Sequence, residues 1–228
     1  MKNMNGLLRF SVFVFLLLLL ACDKPASVTI GTQTWMIKNL NVTHFQNGDP
    51  IPVCKDFAEW ERLSDAGLPA CAAYDFDRRN RKKYGLLYNW YAVSDPRGLA
   101  PEGFRVPMVE DFLELLFFTG GRDPYDSQKA ALALKDGGRC GFNARLGGWG
   151  CTYADPDIGM GTFNEMGYNA AFWTSSENGP SVAWNLEIGS TLRSDTGGAY
   201  LDGSSMKSLL FSVRCIQIEQ IPDTANDQ

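Results

Sequence analysis

The chain has 228 residues, 45% of them hydrophobic and 12% aromatic, with a formal net charge of −5; that length and composition suit one domain with a sizeable core. The acidic balance argues against nucleic acid as a main partner. A single histidine, His44, excludes multi-histidine metal sites.

A basic start with Lys2 and Arg9 leads into an apolar run over Phe10–Leu20 and then Ala21-Cys22-Asp23-Lys24, the layout of a secretory signal. At about 1.5 Å per residue the run covers roughly half of a ~30 Å hydrocarbon core, too little to span it. Leu19-Leu20-Ala21-Cys22 resembles the lipobox of bacterial lipoproteins, with Leu20 bulkier than the residue usual there. The resemblance implies cleavage before Cys22, lipid on its thiol and an exported chain held at the outer membrane or cell surface. Ordinary cleavage nearby, which frees a secreted protein, is the alternative. Each buried methylene contributes about 0.8 kcal/mol, so several acyl chains anchor firmly. Loss of Lys2 and Arg9 takes the charge from −5 to −7, because residues 1–21 hold no Asp or Glu. The expected organisation is a signal over 1–21, a lipidated linker over 22–27, one domain over 28–219 and a polar tail over 220–228.

With Cys22 given to lipid, Cys54, Cys71, Cys140, Cys151 and Cys215 remain in an oxidising compartment. The simplest pairing joins Cys54 to Cys71 and Cys140 to Cys151, each bridge closing a short loop and adding on the order of 3 kcal/mol. Cys215 is then left as a small buried apolar group. Other connectivities stay open.

Val28 to Met36 reads as two short strands around a glycine turn. Asn47 to Arg81, with Pro50, Pro52, Pro69 and a helix candidate near Phe57 to Leu63, reads as a long excursion from the core. Within it Asp77-Arg78-Arg79-Asn80-Arg81-Lys82-Lys83 reads as a solvated loop, with attraction for a phosphate, an anionic glycan or a lipid headgroup as the alternative. Tyr84 to Val93 is apolar and aromatic and ends in the turn Asp95-Pro96-Arg97-Gly98. After Pro107, Val109, Phe112, Leu113 and Leu116 fall on one helical face, with Glu110 and Asp111 in the first turn and Gly120-Gly121 as the stop. A second helix is expected from Ser127 to Lys135. Glycine-punctuated strands follow at Phe142 to Trp149, Ala171 to Ser175, Val182 to Ile188, Ala199 to Leu201 and Leu209 to Ile218. Helices early and strands late indicate an α+β domain.

Six segments in order carry a resemblance: Ile30 to Asn41 (IGTQTWMIKNLN), Tyr84 to Trp90 (YGLLYNW), Pro101 to Pro107 (PEGFRVP), Leu146-Gly147-Gly148, Phe172 to Glu177 (FWTSSE) and Ser212-Val213-Arg214-Cys215. Together they resemble the Fibrobacter succinogenes major paralogous domain, a set of bacterial surface and secreted proteins. The resemblance implies a C-type-lectin-like fold: chain ends meeting as neighbouring strands, one or two helices packed on short antiparallel sheets, and a long irregular loop region. Ala100 stands where that family commonly has cysteine, which removes a partner for Cys215, and Phe112 stands where tryptophan is usual.

The chemistry is mostly negative. Calcium-dependent sugar binding in such folds uses Glu-Pro-Asn or Gln-Pro-Asp followed by Trp-Asn-Asp; here Glu177-Asn178-Gly179-Pro180 is out of order and Trp184-Asn185 precedes Leu186. Asp155-Pro156-Asp157 starts like a calcium loop, but Met160 and Met166 stand where glycine and glutamate are needed. A generic structural calcium on the loops stays open; otherwise no cofactor is expected. His44 lacks a nucleophile motif and reads as a surface or strand-end residue. Phe104 to Pro107 and Gly147-Gly148-Trp149 also resemble formylglycine-generating sulfatase-modifying enzymes. Those need two close cysteines near the C-terminus, where this chain offers only Cys215.

No enzyme activity is therefore expected. The leading expectation is a non-catalytic binding or adhesion module that presents its loop region, around Gly138 to Asn169, to a glycan or a surface protein. Tyr153, Asp155, Asp157 and Tyr168 are the candidate ligand-loop residues. The alternative is a structural subunit or tip of a cell-surface assembly.

Overall fold

The computed structural model describes residues 25–120, 128–152, 161–191 and 194–219. Strands β1 (Ser27–Ile30) and β2 (Gln33–Met36) pair antiparallel around Gly31-Thr32, and Gly31 sits at φ 63°, a conformation open to glycine at no steric cost. Helix α1 (Phe57–Asp65) starts where Asp56 accepts a hydrogen bond from the Glu59 amide at 2.8 Å. A short strand β3 (Cys71–Ala72) and a single 3-10 turn at Tyr74–Phe76 lead to helix α2 (Arg78–Tyr84), capped by Asp77 through the Arg79 amide. Strand β4 (Leu87–Tyr88), the one-turn helix α3 (Trp90–Val93) and strand β5 (Phe104–Arg105) follow.

Helix α4 (Val109–Thr119) opens with the Asp111 carboxylate accepting from the Met108 amide at 2.6 Å and closes on Gly120 at φ 108°. Helix α5 (Gln128–Leu134) is followed by β6 (Gly147–Cys151), β7 (Thr162–Met166), β8 (Asn169–Glu177), β9 (Val182–Thr191), β10 (Ser194–Met206) and β11 (Ile216–Gln217). Among the described residues no helix is long and apolar enough to cross a membrane.

The fold is mixed α+β. One sheet has the order β1-β2-β11-β5 and joins the two ends of the domain: Ile216 of β11 lies opposite Trp35 of β2. The larger sheet runs β10-β9-β8-β6-β7, antiparallel except for β6 beside β8. Both faces of its centre are covered. Ala170 and Phe172 of β8 enter a cluster with Trp35, Phe112 and Phe142, while Ala171 and Trp173 enter a second one with Tyr88, Phe211 and Val213. The period of two along the strand thus feeds two cores. A third cluster gathers Trp60, Leu63, Tyr74 and Leu210.

Several expectations need correction. The stretch from Asn47 to Arg81 is no excursion: Ile51, Cys54, Trp60 and Cys71 are buried. The basic run is helix α2 rather than a loop, because Asp77 caps it and Arg and Lys are good helix formers. Leu209 to Ile218 is not one strand. It passes between layers, bridging Gly150, Tyr88 and Phe172 in turn before β11 forms. Val182 to Ile188 alternates as expected, yet Ala183 and Asn185 on its polar side are also buried.

The proposed bridges are absent as well. Cys54 and Cys71 are adjacent in space, the Cys54 amide donating to the Cys71 carbonyl at 2.8 Å, but their side chains enter different clusters and stay thiols. Cys140 packs against the Trp35 cluster, its thiol donating to the Ala133 carbonyl at 2.8 Å, whereas Cys151 packs against the Trp173 cluster. Backbone neighbourhood alone does not align the Cβ vectors that a disulfide needs. Cys215 is fully buried, as expected of a small apolar group.

Candidate functional site

The side chains of Ala183, Asn185 and Glu187 project from one face of β9, the face that also carries Tyr200 and Asp202 of β10, directly opposite Glu187 and Asn185. Near the edge of this face, Trp149 of β6 and Glu165 of β7 complete a cavity of about 330 Å³ with Met206 and Phe211. Its lining mixes apolar side chains with three carboxylates, those of Glu165, Glu187 and Asp202.

Hydrogen bonds hold the acidic groups in place. The Asn169 amide nitrogen donates to both Glu165 Oε2 at 3.0 Å and Glu187 Oε2 at 3.1 Å, so one donor bridges two carboxylates. Trp149 Nε1 donates to Glu165 Oε2 at 3.0 Å, and the Tyr200 hydroxyl donates to Glu187 Oε2. Glu165 reaches this position from a left-handed backbone conformation, φ 60°, unusual for a side chain of that kind. Asp202 accepts from the amide and hydroxyl of Ser204 at the irregular register of β10.

Burial holds the Glu187 carboxyl above the usual carboxylate range, against the hydrogen bonds from Tyr200 and Asn169, and the charges of Asp202 and Glu165 push the same way as burial. Beneath these groups Asn185 is fully buried, and neither atom of its amide has a hydrogen-bond partner. Buried amides are ordinarily paired, so this one is an exception, on the same side of β9 as Glu187 but outside the cavity lining.

Among the ligand-loop candidates, Tyr168 is 68% exposed in the turn joining β7 to β8, its amide donating to the Glu165 carbonyl. It stands beside the cavity without lining it. Tyr153, Asp155, Asp157 and Cys22 lie outside the described residues. His44 is exposed and bridges Pro50 at the end of a turn. Trp173 is core: its Nε1 donates to the Tyr88 carbonyl at 2.8 Å.

Glu165, Glu187, Tyr200 and Asp202 were not singled out from the sequence, and Asn185 entered only as part of the incomplete Trp-Asn-Asp triplet. The signal available was the polar side of the alternating segment Val182 to Ile188, where Asn185 and Glu187 recur two apart. Among the described residues no group of three or more His, Cys, Asp or Glu is placed to hold a metal ion.

Residues 28–217 match the profile of the Fibrobacter succinogenes major domain. No curated protein and no solved structure matches the chain.

Proposed function

The chain belongs to the Fibrobacter succinogenes major domain family, and from that premise we propose that it is a non-catalytic binding module with a C-type-lectin-like fold, exported and held at the cell surface by lipid on Cys22. Its ligand is a glycan. The observation that carries this reading is the cavity in which a partly exposed Trp149 ring stands beside the carboxylates of Glu165, Glu187 and Asp202. A flat aromatic face suits the apolar face of a sugar ring, and convergent oxygen acceptors suit its hydroxyls. The joining of both chain ends in one sheet agrees with the proposed fold and leaves the cavity on a different sheet from the anchored end.

A glycan array probed with the intact protein tests the reading. Binding should be lost in Trp149→Ala and weakened in Glu187→Gln; an array without hits, or one whose hits survive both changes, overturns it. The anchor has its own test. Cys22→Ser should move the protein from the membrane fraction to the soluble exported fraction and abolish fatty-acid labelling.

A second reading, a structural subunit of a surface assembly, draws on Phe117 and Phe118 at the end of α4, which are 58% and 62% exposed. Large exposed rings of that kind often mark contacts between proteins. A stable oligomer in sedimentation that dissociates in Phe117→Ser, Phe118→Ser would favour it over glycan binding.

A further inference from the structure

Helix α2 forms one wall of a second cavity, of about 240 Å³, that shares no lining residue with the Trp149 cavity. Arg81, Lys82 and Lys83 come from the helix, while Lys38, Arg145 and Arg214 arrive from three distant segments. Among the described residues no Asp or Glu lines it. Asp136 comes to 3.9 Å from Arg145, but both side chains are well exposed, where such a pair contributes little.

Arg214 decides how this cluster is read. It is fully buried. Its Nη1 donates to the carbonyls of Met36, at 3.0 Å, and Phe142, and its Nη2 donates to Asn39 Oδ1 at 2.6 Å and the Asn143 carbonyl at 3.4 Å. Every one of these acceptors is neutral. The Phe142 ring lies 4.5 Å from the guanidinium, which offers partial compensation only. Among the described residues Arg214 makes no salt bridge, and its Nε has no hydrogen-bond partner. Burial pulls its pKa down to about 9, still leaving it charged at neutral pH. A buried cation without a counter-charge is costly, and so is a buried N–H without an acceptor. Both deficits fall on a residue of the cavity lining.

We infer that this cavity is an oxyanion site, in which a phosphate or sulfate group meets Arg214 Nε at the floor and Lys38, Lys82 and Lys83 at the rim. The anion supplies both missing features at once, a negative charge and an acceptor. Charge-assisted bonds of this sort are short and strong, and the exposed lysines add attraction that falls with ionic strength.

Inorganic phosphate, sulfate and glycerol phosphate titrated into the full chain test the proposal, with chloride at matched ionic strength as control. The Nε–Hε resonance of Arg214 should shift with phosphate and saturate, and calorimetry should give the same affinity. Lys38→Ala, Lys82→Ala, Lys83→Ala alters exposed side chains and leaves the core intact; it should weaken binding about tenfold or more. Arg214→Lys keeps the charge and removes the Nε donor, and it should abolish saturation. Uptake of glycerol phosphate as well as phosphate assigns the site to phosphate esters such as a lipid headgroup, and uptake of the inorganic ions alone assigns it to free anions. A resonance that phosphate does not move, an equal response to chloride, or unchanged affinity in the triple variant overturns the site.

Discussion

Trp35 of β2 lies flat on Phe112 of α4, with ring centroids 5.1 Å apart and planes inclined by 13°. Both rings are fully buried, and Phe142 meets Trp35 edge-on at 5.6 Å. The pair fastens the helix to the sheet in which the two ends of the domain meet, because Trp35 is also the strand partner of Ile216.

Phe112→Ala should therefore lower the stability of the whole domain by about 3–5 kcal/mol, the usual cost of emptying a closed aromatic site. Urea denaturation measures it. A loss near that of a surface substitution would show that α4 is not fastened through this contact.

Gly148, in the Leu146-Gly147-Gly148 segment, has φ 67°, and a Cβ there would stand 2.3 Å from the Asn164 carbonyl oxygen. The strain of the left-handed backbone adds to the clash with a backbone atom that cannot swing away. Gly148→Ala should cost on the order of 3 kcal/mol and separate β6 from β7, carrying Glu165 away from Trp149. The indole fluorescence of Trp149, compared with that of a Trp149→Phe reference, should then report a more solvated ring.

Glu187 ionises with more difficulty in the folded protein than in the unfolded chain, where its value is near 4.5. From that point up to the raised folded value the native state binds more protons than the unfolded state, so stability falls as pH rises through the window and is level above it. Glu187→Gln, which cannot ionise, should gain stability relative to the parent across the same window. Denaturation midpoints of both proteins from acid to neutral pH give the answer, and a constant difference between them would place the titration elsewhere.

Burial pushes the thiols of Cys54, Cys71 and Cys215 up to about 12. The thiolate is the reacting form, so aromatic disulfide reagents should modify these three slowly in the native protein at mildly alkaline pH and rapidly in denaturant. Fast native labelling at any of them, located by peptide mapping, would reveal an opening of the core around it.

Much of the framework was legible because its signals are local. The Gly31 turn, the short helix near Phe57 to Leu63 and the helix from Val109 to its stop at Gly120 each depend on a few consecutive residues, and the structure keeps all three. Where a reading needed the partner of a residue, it failed more often. The apolar segment after Leu209 looks like one strand until its neighbours are known, and the spacing of Cys140 and Cys151 says nothing about the two clusters that hold them.

The sequence by itself determined the α+β class, the export signal as an expectation, the family and the main helix, since propensity, capping and alternation act within a turn or a strand. Tertiary structure alone decided the sites. Asn169 joins Glu165 to Glu187 across three strands, and Arg214 reaches Asn39 over 175 positions of chain. Such groupings arise when sheets and layers close over one another, and the burial that shifts Glu187 and Arg214 exists only once that closure has removed the water around them.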